Sequence, residues 1–231
     1  MRRGAGVTPL GTISRLVEKD LTLEWRGREI LTAMVVFSML VAVVFNFAFS
    51  PSAEDAGRLL PGMLWVTLAF ASTLGLSRSF VLEHDHGAIE ALRLFPFDPS
   101  LIYVGKLLAN LLYLLVVEAL LLPALAVIAG VSLRSSAGPL ALILVLGSIG
   151  LVAVGTLFSA MSVNTRIREV LLPVLMFPLA APVLISGVRA MLGILAGGSL
   201  SSVLPGLRIL GAFDVIFVVA GYVIFEFVLE E

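Results

Sequence analysis

Few residues in this chain have side chains that could do chemistry. His84 and His86 are its only histidines. Two positions apart on a helix, they would point roughly 200° away from each other and could not face one metal ion. The spacing therefore predicts a solvated polar turn, with metal ligation as the lesser alternative. Cysteine is absent, so there is no disulfide frame, no thiolate nucleophile and no zinc finger. Gly105-Lys106 is followed by Leu107 and lacks an upstream glycine, so no phosphate-cradling loop is present, and no H-E-x-x-H run exists for zinc hydrolysis. Two carboxylates stand out. Glu118 lies well inside an apolar run and Asp214 near the end of another. A carboxylate in a bilayer costs a few kcal/mol or more and usually faces a protein interior. Arg134, Arg189 and Arg208 are the candidate partners. Two readings stand side by side: a gate or coupling pair, or protonated or hydrogen-bonded structural carboxyls.

A second kind of signal lies in residues 83–97, EHDHGAIEALRLFPF, set between two long apolar runs. Ala88, Leu92 and Phe95 fall at i, i+4 and i+7, with Ile89 and Leu94 close to the same stripe. Glu83, Asp85, Glu90 and Arg93 supply the polar side. Gly87 permits a sharp turn, and Pro96 and Pro99 end the pattern. The segment predicts a short amphipathic helix whose apolar face must be buried in lipid or in a partner.

The elements that must position these residues follow from composition. The chain of 231 residues is 59% hydrophobic and 13% charged, with a mean hydropathy of +1.10. Soluble domains run nearer 45–50% apolar and about 25% charged, so an all-α polytopic membrane protein is expected. A net charge of −1 without a basic domain gives nucleic acid nothing to bind. Nothing at the start reads as a cleavable signal peptide, so the first span is expected to lead insertion. Thr12 is the expected N-cap of an interfacial helix over 12–29, with Ile13, Leu16, Val17, Leu21 and Trp25 on one face and Arg15, Glu18, Lys19, Thr22 and Arg26 opposite. Six spans follow at about 30–49, 59–80, 101–129, 139–163, 170–188 and 207–229, each near the ~20 residues a bilayer requires. With the N-terminus inside, eleven of the fifteen Lys and Arg residues fall on the cytoplasmic side. Both termini and segment 83–97 are then cytoplasmic. Pro173, Pro178 and Pro182 predict a kinked or broken fifth span, and Pro123 a milder effect in the third. Gly147, Gly150, Gly155 and Ser159 predict close helix packing along the fourth.

The stretch from Phe80 through Glu90 and on to Pro123 resembles the haem exporter protein B family, CcmB, the membrane subunit of the cytochrome c maturation ABC complex. The matching features are Pro61-Gly62-x-Leu64-Trp65, the acidic turn before Gly87, Glu90, the Pro96–Pro99 break, Tyr103, Gly105-Lys106 and Asn110. Arg166-x-Arg168-Glu169 leading into LLPVLMFPLAAPVLI is similar to the family's fifth span. The resemblance implies one type-2 ABC exporter permease domain over 1–231, working as a homodimer, in a bacterial or archaeal plasma (inner) membrane. It also implies that Glu83, Asp85, Gly87, Ala88, Glu90, Leu92, Arg93 and Phe95 form a coupling helix docked on a CcmA-like ATPase. A CcmC-like haem-handling protein and a CcmE-like haem chaperone would be the further partners. The chain itself would be no enzyme and hold no cofactor of its own, with haem handled through the complex. The outer half carries no His or Cys that could hold haem iron, which favours ATP-driven release of haem-loaded chaperone over passage of haem. Two other classes stay open: a permease of this architecture exporting a lipid, drug or polysaccharide, and an assembly factor that needs no ATPase.

Overall fold

A computed structural model of the chain describes residues 8–49, 53–85, 98–134, 136–162 and 168–230. Among these residues the chain is all helix: α1 (Pro9–Gly27), α2 (Glu29–Phe49), α3 (Ala53–Asp85), α4 (Ser100–Ala129), α5 (Ala137–Ser162), α6 (Arg168–Leu195) and α7 (Leu204–Glu230). Six of them, α2 to α7, are long and apolar enough to cross a membrane. The expected all-α, six-span architecture with a preceding amphipathic helix is what the chain adopts.

The bundle is built around α5, which packs against α3, α4, α6 and α7. Protein encloses 72% of its spanning segment but only 22% of that of α2, so α5 is the axis and α2 the rim. The cause is side-chain size. Apolar side chains are as comfortable in lipid as in protein, so membrane helices associate where small residues let backbones approach. Gly147 and Gly155 of α5 receive Trp65 and Leu76 of α3 at distances where a β-carbon would collide. On α2, by contrast, Val36, Leu40, Val43, Val44 and Phe47 face outward.

Several boundaries differ from those the sequence predicts. Helix α1 starts at Pro9, with the Thr8 hydroxyl accepting the Gly11 N–H at 3.3 Å. Thr12, the expected cap, is inside the helix and buried. Proline at the first helical position is pre-organised and loses no bond there, so Thr8-Pro9 caps and starts the helix four residues earlier. Helix α3 begins at Ala53, so Pro61 sits inside it rather than at its start. Helix α6 runs without a break through Pro173, Pro178 and Pro182 and continues to Leu195. It ends in a Schellman arrangement, in which the N–H of Gly198 donates to Gly193 at 2.9 Å and Gly197 takes a φ of 87°. The expected break is absent: α3, α5 and α7 pack along α6, and the helix stays continuous with Pro178 and Pro182 on its exposed side.

Candidate functional site

The predicted coupling segment lies mostly outside the described residues: Gly87, Ala88, Glu90, Leu92, Arg93 and Phe95 are among those not described. Glu83 and Asp85 belong to the last turn of α3. On the far side of the segment, the Asp98 carboxylate accepts the Ser100 N–H at 2.9 Å where α4 begins. Its other oxygen lies 3.4 Å from the Tyr222 hydroxyl of α7, which donates to it. Segment 86–97 therefore joins the ends of two helices that pack side by side. His84 falls in the same last turn of α3 and His86 outside the described residues, among which no group could hold a metal ion.

Directly after this segment α4 is fastened to α1. Lys106 Nζ lies 2.9 Å from Asp20 Oδ2, and both side chains are buried. Lys19 approaches the other oxygen at 3.1 Å. One turn earlier on α1, Leu16 rests against Gly105, where a β-carbon would come within 2.9 Å. One turn later, Glu24 accepts the N–H groups of Ile30 at 3.2 Å and Leu31 at 2.8 Å. These are donors at the start of α2 that no residue of α2 itself can satisfy. Arg28 makes the corner between α1 and α2 in a left-handed conformation, φ 55°, and its N–H donates to the Glu24 carbonyl at 2.7 Å. Two acids one turn apart thus hold the cation of span three and the free end of span one.

Further along the bundle, α4 is cross-tied to α5. Asn110 donates to the Thr156 hydroxyl at 3.3 Å, and the Ser148 hydroxyl donates to Glu118 in a short contact. The Tyr103 hydroxyl lies 3.2 Å from the Ala153 carbonyl and 3.3 Å from that of Phe217, and its ring fills the space that Gly221 leaves on α7. Ser159 of α5 donates to the Leu76 carbonyl of α3 at 2.6 Å. Asp214 presses on Gly150 of α5 and is buried, with neither carboxylate oxygen hydrogen-bonded. The expected arginine partners do not reach either acid. Arg134, Arg189 and Arg208 are all exposed, because long cationic side chains keep their heads in water. A serine takes their place at Glu118. Removing it in Ser148→Ala leaves a buried carboxyl without its donor, a loss of about 1–3 kcal/mol. Thermal unfolding in detergent would read this loss, with Asp214→Asn, which breaks no bond, as the comparison.

Deepest in the bundle, Trp65 is fully enclosed, with its indole between Gly147 of α5 and Gly187 of α6 and its N–H 3.1 Å from the Met191 sulfur. Asn110, Glu118, Tyr103, Ser159 and Trp65 thus link helix to helix. Sequence reasoning had missed the Asp20–Lys106 pair. Its signal was the presence of Lys106 inside an apolar run, since a cation there needs a partner, together with Asp20 and Glu24 one turn apart.

The profile of the family described as CcmB protein matches residues 12–227. The chain is 29% identical over 185 residues to Heme exporter protein B of Bradyrhizobium diazoefficiens, covering 80% of this chain and 83% of that one. It is 30% identical over 184 residues to the protein of the same name from Pseudomonas aeruginosa, covering 80% and 82%. The Escherichia coli K12 protein of that name aligns over 96 residues at 27% identity, covering 42% and 44%.

Proposed function

The chain belongs to the CcmB protein family, and from that premise we propose that it is the permease subunit of an ABC-type complex that handles haem in cytochrome c maturation. The observation that carries the reading is the match over nearly the whole six-span chain, supported by relatives named as haem exporters. The chain lies in the plasma membrane with both termini in the cytoplasm, as its distribution of Lys and Arg favours. It is not itself an enzyme. Hydrolysis belongs to a CcmA-like ATPase, with a CcmC-like haem-handling protein and a CcmE-like chaperone as further partners and two permease copies per complex.

Segment 83–97 docks on the ATPase through Ala88, Leu92 and Phe95, with Glu90 and Arg93 at the rim. It begins in the last turn of α3 and leads to α4, so a push on it moves both. Helix α4 carries the displacement to α1 through Lys106, and to α5 through Asn110 and Glu118. Haem is cargo of the complex, and the work of the cycle is to free haem-loaded chaperone from the haem-handling partner.

Leu92→Asp is expected to weaken ATPase docking by about 2–4 kcal/mol, as loss of an interface anchor does, while leaving membrane insertion intact. Co-purification of the ATPase measures it, and a complex that survives the change would move the coupling face elsewhere. ATP hydrolysis by the purified complex, followed with and without haem-loaded chaperone, tests the cycle. Release of loaded chaperone on hydrolysis supports the reading. Haem that crosses only during turnover and crosslinks to spans two, three and five would make the chain a conduit instead.

A further inference from the structure

Helix α1 carries three stripes. Thr12, Leu16, Asp20 and Glu24, one turn apart, face the bundle, and all but the half-buried Leu16 are buried. Arg15, Lys19 and Arg26 recur at i, i+4 and i+11 on another flank. The third stripe is apolar: Leu10, Ile13, Val17, Leu21 and Trp25, which with Leu108 of α4 line an open-sided groove of about 720 Å³. That volume lies within the ~300–1,000 Å³ typical of clefts that hold small ligands. Leu10 is 80% exposed and Trp25 76%, so the described residues leave this stripe uncovered.

The position of the groove limits what can fill it. Helix α1 ends at Gly27 and the first span begins at Glu29. Leu108 lies in the third turn of α4, close to where that span begins. The groove therefore opens onto the headgroup–acyl boundary of one leaflet, where amphipathic helices bury their apolar faces. The charges around it are unequal. The Arg28 guanidinium sits 5.7 Å over the Trp25 ring, which fixes a cation at one end. Ser14, Glu18 and Thr22 are the polar lining residues. Glu18 would repel a phosphate, but it stands about 10 Å along the helix from Trp25.

We infer that the groove binds an anionic phospholipid of that leaflet. Its acyl chain lies along Ile13, Val17, Leu21 and Leu108, and its phosphate meets Arg28 at the Trp25 end. A lipid held there becomes part of the seat of α1, since the same helix grips spans one and three from its other side.

The chain has two tryptophans, and Trp65 is fully buried, so lipid-borne quenchers read Trp25 alone. The full chain would be reconstituted in unlabelled phosphatidylcholine containing a small equal fraction of either phosphatidylglycerol or phosphatidylcholine brominated near the carbonyl end of its acyl chains. Quenching by brominated phosphatidylglycerol is expected at a concentration about five-fold lower, the preference one arginine gives near anionic lipid. Arg28→Gln should make the two lipids equivalent, and Trp25→Phe should remove the signal. Leu21→Glu, which spoils the groove without touching Arg28, should reduce quenching by both. Equal quenching by the two lipids in the unaltered chain, or none by either, overturns the assignment. So does quenching that is lost when the partner subunits of the complex are added, which would show that a protein surface fills the groove.

Discussion

Lys106→Met is expected to lower the stability of the bundle by about 3–5 kcal/mol, the cost of leaving one member of a buried ion pair without its partner. The remaining charge would be Asp20, buried on α1 with the half-exposed Lys19 beside it among the described residues. Helix α1 would be the first element to loosen, because the pair is its main polar attachment to α4, and Leu16 against Gly105 supplies only apolar contact. The double variant Asp20→Leu with Lys106→Met should recover most of the loss, since a well-packed apolar pair often matches or exceeds a buried ion pair. Unfolding in detergent measures stability, and protease sensitivity around residue 27 measures the detachment of α1. A single variant as stable as the parent would show that the pair contributes nothing.

The second large effect is expected from Trp65→Ala, at about 3–5 kcal/mol, the range for removing a fully buried large aromatic. The indole separates the backbones of α5 and α6 and hydrogen-bonds Met191. Its removal leaves a cavity that two glycine surfaces cannot close, having no side chains to move into it. The converse change, Gly147→Val, is expected to be damaging too, because the new side chain would occupy the ring's place. Thermal unfolding of both variants in one detergent would test the pairing. If either is neutral, the wedge is not what holds α3 between α5 and α6.

The spans were legible because a bilayer fixes their length and excludes charge, so hydropathy alone locates them. The close packing of α5 was legible from Gly147, Gly150 and Gly155, since small residues let membrane helices approach, but its place as the axis of the bundle was not. The attachment of α1 was not. Asp20 and Lys106 are far apart in the chain, and nothing local to either names the other. Leu16 read as part of the apolar stripe with Ile13 and Val17, yet it sits in line with Asp20 and Glu24 against the bundle. At a membrane boundary apolar side chains can be left to lipid, so the acids are what the protein encloses, the reverse of a soluble helix. The partners of Glu118 and Asp214 misled for a related reason. Opposite charge suggested arginine, but all three arginines stay exposed at the surface. For segment 83–97 the periodicity indicates a helix with an apolar face, and its docking rests on the proposed ATPase.

The clasp on α1 also has a consequence for how the chain is made. Asp20 leaves the ribosome before the first span, whereas Lys106 is synthesised only after spans one and two. At about 5–20 residues per second, α1 waits several seconds with its acid unmatched. Glu24 can engage the start of span one almost at once, so the nascent helix is held first by its downstream end and locked by its middle only when span three arrives. A ribosome stalled between those two events should display an N-terminal helix that is anchored yet still open to protease, and closure of that site would report the arrival of the third span.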